Sequence, residues 1–151
     1  HTVTAWGPGV GSHGPGRPPQ RVPSLGPPGC WKNEVMDPDQ AWTAVDDYFI
    51  EELVDQDQAL LDTAAGDART TAPGIAVSPP QGKLLALFAE MVGARRALEF
   101  GTLAGYSTLW LARAVGPQGR VVSLELQEQN AAVARENLAG AGVGDRVEIR
   151  V

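Results

Sequence analysis

The sequence predicts an α/β protein built on a doubly wound parallel sheet, and three observations carry that expectation. From Ala97 onward, short apolar runs of strand length alternate with helix-length segments, the pattern of parallel βαβ units. A glycine loop at 101–105 follows the first of these runs, where sheets of this kind bind their ligands. Two proline-led helix starts, at Asp37 and Ser78, come before the sheet and place helices on its N-terminal side. With 151 residues, 43% hydrophobic and 20% charged, the chain has the composition of one soluble globular domain.

The first 30 residues are different material: 7 are Gly and 7 are Pro, too many for a helix or strand ladder and with few large apolar groups to offset ordering entropy. Residues 1–36 are therefore expected to be disordered. The first methionine, Met36, stands directly before the first helix start. This suggests a native start at Met36, with residues 1–35 as upstream sequence read in frame; a genuine flexible arm is the alternative.

Asp37-Pro38-Asp39-Gln40 combines a capping acid, a proline at the first helical position and Gln at the third. Trp42, Val45, Phe49 and Leu53 then recur every three or four residues, so an amphipathic helix is expected to about Leu61. Its other face carries Asp46, Asp47, Glu51, Asp55 and Asp62, read as solvated charge rather than metal ligands. A capping box at Ser78-Pro79-Pro80-Gln81 opens a second helix through Leu84, Leu85, Leu87, Phe88 and Met91, stopping at Gly93. Next come a strand at 97–100, a helix at 107–115 ended by Gly116-Pro117, and a strand at 121–126. A helix at 128–139 and a third strand at 147–151 complete the alternation. In a Rossmann-like sheet the first strand is central, so its other side is expected to form an exposed apolar edge.

The chemistry concentrates in the loop from Glu99 to Ser107. Gly101 and Gly105 permit a sharp turn and close ligand approach. Glu99 is an acid in an otherwise apolar strand and needs a partner to offset its desolvation. Glu125, 24 residues after Gly101, occupies the position where an acid accepts both hydroxyls of a ribose. The dinucleotide fingerprint would need glycine at 103 and 106, which are Leu103 and Tyr106, and no Gly-Lys-Ser/Thr phosphate loop is present. A nucleoside cofactor with an amino-acid tail in place of phosphates fits these features.

Composition narrows the partners. Between residues 37 and 98, 11 acids face 4 bases and the whole chain carries a net charge of -6, so no nucleic-acid footprint is read and a small-molecule partner is expected. The single cysteine, Cys30, makes no internal disulfide or zinc site, which suits a reducing cytoplasm. Neither a signal peptide nor an apolar run of about 18 residues is found, so no membrane partner is expected.

Four stretches together carry a resemblance: Ala76-Val77-Ser78-Pro79-Pro80-Gln81-Gly82-Lys83, Leu98-Glu99-Phe100-Gly101-Thr102-Leu103-Ala104-Gly105-Tyr106-Ser107, Val122-Ser123-Leu124-Glu125 and Ala134-Arg135-Glu136-Asn137-Leu138. Over about residues 70–151 the chain resembles the class I S-adenosylmethionine-dependent O-methyltransferases, particularly the catechol and caffeoyl-CoA group. The resemblance implies S-adenosyl-L-methionine as cofactor and a hydroxyl of a small phenolic or catechol-type molecule as methyl acceptor. It implies that Glu99 and Ser107 hold the methionine amino and carboxylate groups, with Gly101, Thr102, Leu103 and Gly105 packed against them. Glu125 would take the ribose hydroxyls and Val77 would close over the cofactor. Tyr106 and Trp110 read as packing residues.

The same resemblance implies Mg²⁺ or another divalent cation in the full-length protein if it follows the metal-dependent branch, and a homodimer as its assembly. It also places the adenine contacts, the metal aspartates and the catalytic lysine beyond Val151. Residues 37–151 thus read as the N-terminal part of a methyltransferase domain, interrupted after the third strand, with no catalytic or metal-binding residue of its own. On that reading the 151-residue chain by itself is expected to be inactive and to aggregate or stay partly molten. Two other readings remain open from the residues: an oxidoreductase with a variant nucleotide loop, and a non-catalytic Rossmann-like binding protein.

Overall fold

Three parallel strands, β1 (Arg96–Phe100), β2 (Arg120–Leu124) and β3 (Val147–Arg150), form one sheet in the order β1-β2-β3. The computed structural model describes residues 38–151, which lie within a single unit, Met36–Val151. The expectations for residues 1–36 and the Asp37 cap fall outside the described residues. Five helices accompany the sheet: α1 (Pro38–Leu53), α2 (Gln58–Ala65), α3 (Pro79–Met91), α4 (Tyr106–Ala114) and α5 (Glu128–Gly140). The strand–helix alternation expected from residue 97 is thus present, with α4 and α5 as the two crossovers that parallel pairing requires.

Register determines which side chains share a face. Glu99 lies opposite Ser123, and Ser123 opposite Ile149. With the period of two along a strand, Ala97, Val121, Val147 and Ile149 turn toward the helices and join the core around Leu60, Leu109, Trp110 and Leu138. Burying an aliphatic side chain of this kind stabilises the fold by about 1.5–3 kcal/mol. Leu98 and Phe100 point the other way and remain 60% and 78% exposed. Among the described residues β1 pairs with β2 alone.

The N-terminal region departs from the sequence expectation in two ways. The single helix expected to about Leu61 is two helices: α1 ends at Leu53, and after a short break Asp57 starts α2. Its carboxylate accepts the Leu60 N–H at 3.1 Å and caps α2, and Arg113 of α4 pins it at 2.7 Å. The apolar spacing runs on past the break and conceals it. The α1 stripe is also largely exposed: Trp42 by 71%, Leu53 by 60%.

The capping box at α3 forms as its sequence dictates, with the Gln81 N–H on Ser78 Oγ and the Ser78 N–H on Gln81 Oε1. The face of α3 that packs is not its leucine face, however. Gly82, Ala86 and Ala89 are buried whereas Leu84, Leu87 and Phe88 are exposed. Close approach to α4 explains the choice, since a Cβ on Gly82 would come within 2.5 Å of the Trp110 ring. No helix among the described residues is long and apolar enough to cross a membrane.

Candidate functional site

The β1–α4 loop is shaped by three residues in the left-handed region: Gly101 at φ +88°, Leu103 at +50° and Gly105 at +90°. The two glycines serve different ends. A Cβ on Gly105 would press within 3.3 Å of Ala134 on α5, whereas one on Gly101 would meet nothing within 4 Å. Gly105 therefore lets α5 pack closely, and Gly101 leaves open the space in front of the sheet. Leu103 has neither excuse; a leucine there stores of order 1 kcal/mol of backbone strain or more.

Glu125 supplies the force that holds this strain. It stands one residue beyond the end of β2, slightly past the strand position expected. Its Oε2 accepts the N–H groups of Thr102 and Leu103, both at 2.9 Å. Oε1 accepts those of Leu126 and Gln127 at 2.9 Å and the Asn130 amide at 3.3 Å. Burial pushes the Glu125 carboxyl up, but the N–H groups of Gln127, Leu103 and Thr102 and the Asn130 amide together hold it below the ordinary carboxylate value.

Glu99 is satisfied by hydroxyls. Ser107 donates to Oε1 at 2.6 Å, while Thr108 at 2.5 Å and Ser123 at 2.6 Å donate to Oε2. Parallel register puts Ser123 beside Glu99, and the first turn of α4 delivers Ser107 and Thr108. The partner that an acid in an apolar strand demands is thus internal and threefold.

A cleft of about 270 Å³ opens over the loop, with Ile75, Ala76 and Val77 on one side and Gly101 to Ala104, Tyr106 and Ser107 on the other. A broader hollow of about 490 Å³ shares Phe100 and Gly101 with it and runs past Leu124, Glu125 and Leu126. The two make one trough along the carboxyl ends of β1 and β2. The wall bearing Val77 is tied down by Asn130, whose Oδ1 accepts the Thr71 N–H at 2.9 Å, and by Asp67, which accepts the Gly74 N–H at 2.6 Å.

A sequence profile of the O-methyltransferase family matches residues 51–151. The chain belongs to the O-methyltransferase family. It is 54% identical over 107 residues to a catechol O-methyltransferase of Mycobacterium tuberculosis, a match covering 71% of this chain and 49% of that protein. The fold matches that of the O-methyltransferase TomG from Streptomyces achromogenes, involved in tomaymycin synthesis and solved in complex with SAM. There the TM-score is 0.73 and the identity 46%, over 77% of this chain and 52% of that one. An O-methyltransferase from Bacillus cereus in complex with SAH aligns with a TM-score of 0.70 and 47% identity, over 74% of this chain and 50% of that one. The chain spans about half the length of the curated relatives it matches.

In this O-methyltransferase chain, Val77, Gly101, Thr102, Leu103 and Ser107 line the 270 Å³ cleft, and Glu125 borders the adjoining hollow. Glu99 lies behind the cleft wall, bonded to Ser107, and Gly105 faces α5. Four polar residues of the site escape sequence reasoning: Thr108, Ser123, Asn130 and Asn137. Asn137 donates to the Ala104 carbonyl at 2.9 Å and so fixes the far end of the loop. Ser123 carried a readable signal, an inward polar residue on β2 level with Glu99 on β1. The two asparagines carried none, since nothing local distinguishes them from other polar residues of a helix.

Proposed function

We propose that this chain supplies the S-adenosylmethionine-binding half of an O-methyltransferase whose acceptor is a small phenolic or catechol-type molecule. The observation that carries the reading is the trough at the strand ends, flanked by one acid behind each strand and kept open by Gly101. When bound, S-adenosylmethionine supplies a methyl group on a sulfonium sulfur, so transfer breaks the S–CH₃ bond, forms an O–CH₃ bond and releases the acceptor's hydroxyl proton.

The residues fit that cofactor's parts. The first turn of α4 starts at Gly105 without a side-chain cap, leaving N–H groups suited to the methionine carboxylate. Ser107, backed by Glu99, suits the ammonium end. Gly101 admits the body of the cofactor over the loop, and Val77 covers it from the opposite wall. Glu125 would take the ribose hydroxyls. It already receives five protein donors, and the Asn130 contact, longest at 3.3 Å, is the one a hydroxyl would replace with least loss. Among the described residues no group of three or more His, Cys, Asp or Glu side chains is placed to hold a metal ion.

Calorimetric titration of the full-length protein that carries this segment, with S-adenosylhomocysteine and, separately, with NAD, tests the reading. Saturable binding of S-adenosylhomocysteine without binding of NAD is expected. Binding of NAD alone would move the chain to nucleotide-dependent redox chemistry.

A further inference from the structure

Asn130 and Asn137 stand two turns apart on α5 and so share one face of that helix. Asn130 is 4% exposed. Its Oδ1 accepts the Thr71 N–H at 2.9 Å and the Thr71 hydroxyl at 3.2 Å, while its Nδ2 donates to Glu125 at 3.3 Å. Asn137 repeats the arrangement: Oδ1 accepts from Arg69 at 3.2 Å, and Nδ2 donates to the Ala104 carbonyl at 2.9 Å. In both residues the acceptor end faces the 69–71 segment and the donor end faces the cofactor side. An amide carries donor and acceptor on one planar head, whereas a carboxylate or an aliphatic side chain of that size holds one side or neither.

The segment bonded in this way leads into one wall of the cleft, Ile75 to Val77, and the opposite wall is Gly101 to Ala104. Asp67 carries the constraint along the segment by accepting the Gly74 N–H at 2.6 Å, directly before Ile75. Gln129 adds a further tie from α5, donating to the Arg69 carbonyl at 2.8 Å. Contact is close as well, since a Cβ on Gly66 would collide with the Asn137 amide. We propose that Asn130 and Asn137 are positioning residues that, from α5, set the gap between the wall at 75–77 and the loop at 101–104. This rests on the cofactor reading above and adds to it a pair of residues that act from behind the walls. A ribose hydroxyl takes over the longer Asn130 bond, to Glu125; the shorter bond to Thr71 stays, so the wall keeps its place in the loaded site.

The test uses the full-length protein. Asn130→Leu keeps the bulk and removes both sets of bonds. Without ligand, hydrogen exchange at the Gly74 amide, which bonds to Asp67 and not to Asn130, should quicken by about tenfold or more. Amides of residues 109–113 should be unchanged, and Asn130→Asp, which keeps an acceptor for Thr71, should restore the protection. In calorimetry, Val77→Ala should weaken S-adenosylhomocysteine by about tenfold on its own. Beside Asn130→Leu it should cost less than about threefold, because a wall that has lost its place has already lost that contact, whereas independent sites would add. Asn137→Ala should repeat both measurements and decides the matter if Asn130→Leu does not fold. Unchanged exchange at Gly74, equal quickening in Asn130→Asp, or additive losses overturn the inference while leaving the cofactor reading intact. Failure of the unsubstituted protein to bind S-adenosylhomocysteine removes that reading, and the exchange result still judges the role of α5.

Discussion

The loop at 101–105 and helix α1 are announced with equal clarity by the sequence, yet their groups meet opposite fates. Every carboxylate oxygen around the loop has a partner: five donors converge on Glu125 and three on Glu99. The apolar stripe of α1 is largely exposed, as are Leu84, Phe88 and Met91 of α3 and Phe100 of β1. The difference is one of range. The loop draws its partners from β1, β2, α4 and α5, elements next to one another in the chain, whereas an amphipathic stripe is only a demand for burial and does not say which surface will meet it.

Core substitutions should expose this contrast most strongly. Leu109→Ala, at a fully buried α4 position, is expected to cost about 2–5 kcal/mol in urea denaturation followed by circular dichroism. Trp42→Ser should change stability by no more than about 0.5 kcal/mol. A comparable loss at Trp42 would mean that the α1 stripe is buried in solution after all.

The two loop glycines sharpen the comparison inside the site. Alanine at either position pays for a left-handed φ with about 1–2 kcal/mol. Gly105→Ala should cost more than that in the same denaturation assay, because its methyl meets Ala134. Gly101→Ala should lose little beyond the φ penalty but should weaken S-adenosylhomocysteine binding. Reversed rankings would contradict the division of labour between them. The α3 cap comes next, with Ser78→Ala expected to cost about 1 kcal/mol.

The acid limb of stability should show the smallest effect. Both Glu125, held down by backbone N–H groups against its burial, and Asp57, held down first by its hydrogen bond from Arg113, have folded-state values below the ordinary ones. Their contribution is therefore full above the unfolded carboxyl values near pH 4 and is lost as pH falls through the lower folded values. Stability measured from pH 6 to pH 3 should fall less steeply in Glu125→Gln than in the unsubstituted chain. An unaltered slope would mean that the N–H cluster does not hold that charge.

Local signals made much of this legible. The capping box at Ser78, the alternation after Ala97, the glycine loop and the acids Glu99 and Glu125 each depend on residues close together in sequence, and the structure places them accordingly. The break at 54–57 was hidden because apolar spacing crosses it while Asp57 acts through its side chain. The packing face of α3 is not legible from residue size: Gly82, Ala86 and Ala89 are buried because the helix approaches α4 closely, while its larger apolar residues stay exposed. The hydroxyl cage around Glu99 depends on strand register, and Asn130 and Asn137 on where α5 docks, neither of which a linear pattern encodes.

The most direct test of the cofactor cradle is calorimetric S-adenosylhomocysteine affinity of the full-length protein carrying Glu125→Ala, with Glu128→Ala on the exposed start of α5 as control. Loss of the Glu125 contacts should cost about 1.5–3 kcal/mol of binding, a ten- to hundredfold weakening, with the control unchanged and both variants folded by circular dichroism. Unchanged affinity in Glu125→Ala would contradict the assignment of this trough as the cofactor site.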